Sequence, residues 1–129
     1  LDEGLASYSA VLYYQETEQE EAGEELLEFY RSNYQAAVDQ GKDAPTNLPV
    51  AAYSPENYSR IVYSKGALFF DALRQEVGEE AFWRILQAYY QRFLYGTATG
   101  EGFLALAEEV SGQELDALYQ AWVLGVVQK

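Results

Sequence analysis

The sequence predicts an all-α fold, and three observations carry that prediction. Apolar residues recur at three- and four-residue intervals in one stretch after another. Turn formers and helix breakers punctuate those stretches. No run of residues alternates apolar and polar as a half-buried strand does, and there is no internal repeat.

The elements come in this order. Leu5, Tyr8, Val11 and Leu12 form the first helical stripe. Next come Glu16, Glu18, Glu20, Glu21, Glu24, Glu25 and Glu28, read as a solvated surface because like charges four apart repel. Gly23 lies inside that run and is expected to break one helix from the next. Leu26, Leu27, Tyr30, Tyr34, Ala37 and Val38 resume the helical period, Phe29 widens the stripe, and Gly41 stops it. Residues 42–53 read as a loop, with Asp43, Pro45, Asn47 and Pro49. Ser54, Pro55 and Glu56 then make a helix start, with an N-cap, a proline at the first position and an acid in the first turn. That helix runs through Tyr58, Ile61, Val62, Leu68, Phe69, Ala72, Leu73 and Val77, and Gly78 ends it. The best amphipathic series is Phe82, Ile85, Leu86, Tyr89, Tyr90 and Phe93. Tyr95 to Gly100 read as a loop with Thr99 as a cap, before a short helix on Phe103, Leu104, Leu106, Ala107 and Val110. Ser111 and Glu114 have capping-box spacing, opening a last helix with Leu115, Leu118, Tyr119 and Trp122.

Composition narrows the function classes. Eight basic residues against 21 acidic ones give a net charge of −13. That argues against nucleic acid, which requires clustered Lys and Arg, and against contact with an anionic membrane surface. No apolar run is long enough to span a bilayer. There is no cysteine, so neither disulfides nor thiol chemistry arise. There is no histidine, so no His-based triad and no His-ligated metal site is complete within these residues. The 12 tyrosines bury area but need partners for their hydroxyls, which places them at the rim of a core or along a groove.

Two short stretches stand out, LDEGLASY at the start and VYSKGALFF at residues 62–70. Glu3, taken alone, is a first-turn acid facing the positive end of a helix dipole. Tyr63 is one more core-rim tyrosine. Lys65 is a lysine whose stem lies along apolar surface with its head in water, and Gly66 marks close helix packing.

Taken in order, the two stretches resemble the gluzincin aminopeptidases of the M1 family. Those enzymes carry H-E-x-x-H on one helix, then W-L-N-E-G-[FL]-A, then Y-x-K-G-A. LDEGLASY matches the second segment from its second residue onward, and YSKGAL matches the third. The tail, EVGEEAFWRILQAYYQRFLYGTATGEGFLALAEEVSG followed by LDALYQAWV, is similar to the family as well, so the resemblance covers nearly the whole chain. It implies that Glu3 is the third zinc ligand and Tyr63 the catalytic tyrosine. Asp2 stands where the family more often has Asn. The H-E-x-x-H helix, with its two histidines and general-base glutamate, is not among these residues, nor is the G-x-M-x-N segment that recognises a substrate's amino group.

The expectation is therefore that residues 1–129 form a single helical subdomain, part of the helical half of a thermolysin-like zincin catalytic domain. Its partners would be the remainder of that domain and a peptide substrate. The parent protein would hold zinc and remove N-terminal residues from peptides, while these residues alone would bind no zinc and be inactive. The chain starts in mid-pattern, with no Met anywhere, and is read as a segment of a longer protein. Separated from its neighbours it should expose Leu1, Leu5 and Tyr8, and self-association through that face is expected. The rival reading is a non-catalytic helical module, an acidic bundle with a tyrosine-rich face for a peptide or partner protein, with a pseudo-enzyme as its nearest form.

Overall fold

A computed structural model describes residues 2–93 and 99–127. Among them the chain is helical and contains no strand. Helix α1 (Asp2–Glu16) and α2 (Glu20–Asp39) form an antiparallel-type hairpin through a tight connection in which Glu18 takes a left-handed φ of 61°. A loop and one 3-10 turn (Val50–Ala52) lead to α3 (Pro55–Tyr58). It continues directly into a π-helical segment, Ser59–Lys65, and then α4 (Gly66–Val77). Helices α5 (Glu79–Phe93), α6 (Gly100–Ser111) and α7 (Asp116–Tyr119) complete the order, the last running into a second π-helical segment, Gln120–Leu124. Helix α4 is the centre: α1 and α5 lie against it, α2 covers α1 and the first π segment, and α6 packs on α5. No described helix is long and apolar enough to cross a membrane.

The core is the meeting of the predicted stripes. Tyr8, Val11 and Leu12 of α1 join Leu27 and Tyr30 of α2, Phe69, Phe70 and Leu73 of α4, Phe82 and Ile85 of α5, and Phe103 of α6. Phe103 stands edge-on to Phe70 and Tyr89, with ring centroids 5.5 and 5.3 Å away. Such edge-to-face contacts add roughly 0.5–1.5 kcal/mol per pair to simple burial. A smaller cluster, Ala37, Tyr53, Ile61 and Val62, closes the other side of the first π segment.

Several expected boundaries hold for the expected reasons. Ser54 Oγ accepts from the Asn57 amide at 3.2 Å, and Thr99 Oγ1 accepts from the Gly102 amide at 2.9 Å. Gly41, at φ 68°, ends α2, its amide donating to Val38 while the Lys42 amide donates to Ala37. The expected acidic surface holds too, since all seven glutamates from Glu16 to Glu28 are exposed. The predicted loop over residues 95–98 lies outside the described residues.

Other expectations are corrected. Gly23 does not break the chain; it lies inside α2, because a side chain there would press on α1. A Cβ on Gly23 would meet Tyr14 Cβ and Gln15 Cγ at 3.3 Å. The break falls at residues 17–19 instead. No capping box forms at Ser111. Gly112 takes a left-handed φ of 71° to end α6, so Ser111 closes one helix rather than opening the next, and its Oγ accepts from Gln113. Phe29 and Tyr90 face water, at 58% and 67% exposure, each at the edge of a stripe too narrow to cover it. Tyr8 is fully buried, not part of an exposed face, because α4 and α5 roof it from within the chain. Leu5 is half-buried, and Leu1 lies outside the described residues.

Several tyrosines find partners for their hydroxyls. Tyr8 donates to Asp71 at 2.8 Å, Tyr30 to the Ser7 carbonyl at 3.0 Å, Tyr34 to Asp43 at 2.8 Å and Tyr89 to Asp2 at 2.9 Å. Desolvation first, then the hydrogen bond and charge of Asp2, push the Tyr89 hydroxyl from 10.0 up to about 12. A raised folded-state pKa means that the protonated hydroxyl contributes fully below pH 10 and is lost as pH rises through 12. Tyr89→Phe should therefore cost about 0.5–1.5 kcal/mol near neutrality. That difference should shrink as the pH approaches 12. Thermal melts of both proteins across that range check it.

Candidate functional site

Two sequence-distant stretches meet where α1 crosses the start of α4. Gly4 of α1 and Gly66 of α4 touch backbone to backbone. A Cβ on Gly4 would lie 2.7 Å from the Gly66 carbonyl carbon, and one on Gly66 would lie 3.0 Å from the Gly4 Cα. No side chain fits between them, so the two helices approach as closely as bare backbone allows. Glu3 directly precedes Gly4, and Tyr63 precedes Gly66 by one turn. The glycine contact thus brings residues 60 positions apart to neighbouring turns of one crossing.

The polar groups at this crossing divide cleanly. Asp2 is occupied, accepting from Tyr89. Glu3 is half-buried, and its carboxylate has no hydrogen-bond or ion-pair partner among the described residues. Tyr63 is 40% exposed, and its hydroxyl likewise has no hydrogen-bond partner among them. Glu3 stands in the first turn of α1, and its charge also acts on Tyr58. The dipole term needs only charge near the helix start.

Sequence reading missed Tyr58. Its ring stands edge-on to Tyr63 at 5.6 Å and to Tyr53 at 5.8 Å. Desolvation first, then the charges of Glu3 and Tyr63, raise its hydroxyl above the ordinary value. Tyr58 therefore stands within electrostatic reach of both. In a regular α-helix, residues five apart point roughly 140° away from each other. The π-helical segment over Ser59–Lys65 bonds residues five apart and brings them nearer to one face, which is what sets Tyr58 edge-on to Tyr63. Single-turn π segments inside helices concentrate at functional sites. The helical period in the sequence carries no sign of this segment, since Ile61, Val62 and Leu68 suit a straight helix equally well.

Lys65 departs from its expected place. Its side chain is completely buried rather than snorkelling. Nζ donates to Asp43 Oδ1, to the Ala44 carbonyl and to the Gly125 carbonyl, each at 2.9 Å. Burial pushes the ammonium below its ordinary pKa, while the Asp43 carboxylate pulls it back up. Gly66 fulfils its expected role at a close helix contact.

As a metal centre, these residues supply an open carboxylate and nothing more. Among the described residues no three His, Cys, Asp or Glu side chains gather as a ligand set. Glu3 by itself supplies one ligand where a metal site needs several. Its carboxylate is an unengaged oxygen donor, of the kind that accompanies two histidines in catalytic zinc sites.

The chain matches the family described as Peptidase family M1 domain over residues 1–122. It is 39% identical over 67 residues to Aminopeptidase N of Streptomyces lividans, covering 52% of this chain and 8% of that protein. Aminopeptidase N of Lactococcus lactis subsp. lactis is 32% identical over 65 residues, covering 50% of this chain and 8% of that protein. Aminopeptidase M1-C of Oryza sativa subsp. japonica is 34% identical over 85 residues, covering 64% of this chain and 10% of that protein. The chain thus spans a tenth or less of the length of these curated relatives. No solved structure matches it significantly.

Proposed function

The chain belongs to peptidase family M1, and from that premise we propose that the protein carrying it is a zinc aminopeptidase. Residues 1–129 would be a helical part of its catalytic domain, with Glu3 as a metal ligand and Tyr63 as the group that stabilises the transition state. One observation carries the reading. The Gly4–Gly66 contact brings Glu3 and Tyr63 to one crossing with their polar atoms unengaged among the described residues.

The chemistry assigns each side chain a separate task. Zinc bound by Glu3 and two ligands from outside this chain would supply a water of lowered pKa. Attack on a peptide carbonyl places negative charge on the carbonyl oxygen. The Tyr63 hydroxyl donates a hydrogen bond to that oxygen as the charge develops, from a helical segment whose geometry is fixed before substrate arrives. Tyr58 flanks Tyr63 edge-on. A general base and a group to hold the substrate's amino terminus must come from other segments. These residues by themselves therefore lack most of the machinery and should be inactive.

Two experiments test the proposal. The coding sequence upstream of Leu1 should contain H-E-x-x-H; its absence would leave the chain as a helical interaction module. In the full-length protein, Glu3→Gln should lower zinc content together with activity, because an amide is a poorer ligand than a carboxylate. Metal analysis of the purified variant decides this. Full zinc occupancy in Glu3→Gln removes Glu3 from the ligand set. Residues 1–129 alone should take up zinc no better than any acidic protein, and a one-to-one site of about micromolar affinity by calorimetry contradicts the assignment.

A further inference from the structure

Tyr63 poses a positioning problem. Its side chain is partly exposed, and among the described residues the Tyr58 ring is its one aromatic neighbour, so ring packing does little to fix the turn that carries it. The turn is π-helical, a conformation that is rare and occurs mostly as single turns inside α-helices. What anchors it lies on the inner side. Ser64 is buried and accepts from Asn33 Nδ2 at 2.8 Å. Lys65, two residues from Tyr63, is the deepest anchor.

All three Nζ donors of Lys65 are used, on two separate segments, the loop at residues 43–44 and the tail at Gly125. Asp43 is equally saturated. Its Oδ1 accepts from Lys65 and from the Ala44 amide at 2.9 Å, and its Oδ2 from the Tyr34 hydroxyl at 2.8 Å and the Val127 amide at 2.7 Å. Both side chains are fully excluded from water. A buried ion pair is a weak source of stability, because desolvation offsets the attraction and apolar replacements often serve as well. What such a pair does supply is direction, since every bond in it has a preferred geometry.

We propose that the buried Asp43–Lys65 pair is the positioning element for Tyr63, clamping the π-helical turn to the 43–44 loop and the 125–127 tail so that the hydroxyl meets the substrate oxygen. The proposal rests on the reading of Tyr63 given above. It assigns Lys65 no contact with substrate.

The test is a set of variants of the full-length protein: Lys65→Met, Asp43→Asn and Tyr63→Phe, with each of the first two also combined with the third. Displacing a reactive group by about 1 Å can cost 10²-fold, so Lys65→Met should lower kcat by roughly 10- to 100-fold with KM changed less than about threefold. Asp43→Asn should do the same to a smaller degree. In the Tyr63→Phe background neither should lower kcat by more than about twofold further, because the donor they position is already gone. Fluorotyrosine introduced at residue 63 should show a shifted or broadened resonance in Lys65→Met, which a remote loss of stability does not produce. An equal fold-loss in both backgrounds, or an unchanged kcat in Lys65→Met, overturns the proposal. If Lys65→Met does not fold, Asp43→Asn carries the test. If neither folds, the pair serves the fold alone and the proposal is wrong. Tyr63→Phe at the wild-type rate overturns the reading of Tyr63 and this proposal with it. Tyr63→Phe impaired beside an unimpaired Lys65→Met overturns this proposal alone.

Discussion

Tyr63→Phe in the full-length protein is expected to lower kcat by about 10²–10³-fold, the usual loss for one oxyanion-stabilising donor. The change removes an oxygen from a ring that is 40% exposed and whose hydroxyl has no hydrogen-bond partner among the described residues. Nothing buried is left unpaired, so thermal stability and zinc content should stay at wild-type values. The lost bond forms chiefly in the transition state, so KM should move far less than kcat. Retention of more than about a third of wild-type kcat corresponds to under roughly 1 kcal/mol and would mean that Tyr63 only packs. Steady-state kinetics on an amino-acid anilide, with metal analysis of the same preparation, supplies both readouts.

Gly4→Ala should damage both the fold and the rate. Its Cβ would meet the Gly66 carbonyl carbon at 2.7 Å, its Cα at 2.8 Å and its oxygen at 2.9 Å. All three atoms are backbone, so no rotamer change relieves them. The helices must move apart by about 1 Å to reach ordinary contact distance. Overpacking of this kind costs about 1–3 kcal/mol. Because Glu3 and Tyr63 ride on the two helices being separated, kcat should fall by about 10²-fold as well. Gly23→Ala is the matched control. Its new Cβ would meet Gln15 Cγ and Tyr14 Cβ at 3.3 Å and the Val11 carbonyl oxygen at 3.4 Å, contacts that a shift of a few tenths of an ångström relieves, and they lie elsewhere on α1. It should cost less stability and leave kcat unchanged. Denaturant melts and kinetics on both variants decide the matter; wild-type values for Gly4→Ala would show that the crossing is looser than the backbone contact implies.

The helices themselves were legible from the sequence because their causes are local. The stripe Phe82, Ile85, Leu86 and Tyr89 specifies a helix and its inward face without reference to the rest of the chain. Ser54 and Thr99 cap α3 and α6 because a side-chain oxygen there reaches an amide three residues on. Legibility fails where two local signals overlap. Ser111 has the spacing of a capping box, but Gly112 beside it accepts the left-handed conformation that ends α6, and termination wins. Gly23 has the composition of a break, but its missing side chain is used for contact with α1.

The candidate site was legible only in part, through the likeness of LDEGLASY and YSKGAL to known segments, which named Glu3 and Tyr63. Nothing in the spacing of Tyr58 singled it out, since its contact with Tyr63 depends on a π-helical turn that the apolar pattern does not encode. Lys65 reads in any sequence as a surface lysine, and its burial depends on Asp43 and Gly125, 22 and 60 residues away. The sequence by itself determined the all-α class, the helix stripes, the main caps and the acidic surface, because each arises from residues within a turn or two of one another. Only the three-dimensional structure decided that Gly4 meets Gly66, that Tyr58 stands edge-on to Tyr63 and that Lys65 is sealed from water. The first and last are contacts between distant segments, whose energies exist only once close packing has excluded the solvent that would otherwise satisfy each group separately, and the second needs a π-helical turn that the apolar pattern does not encode.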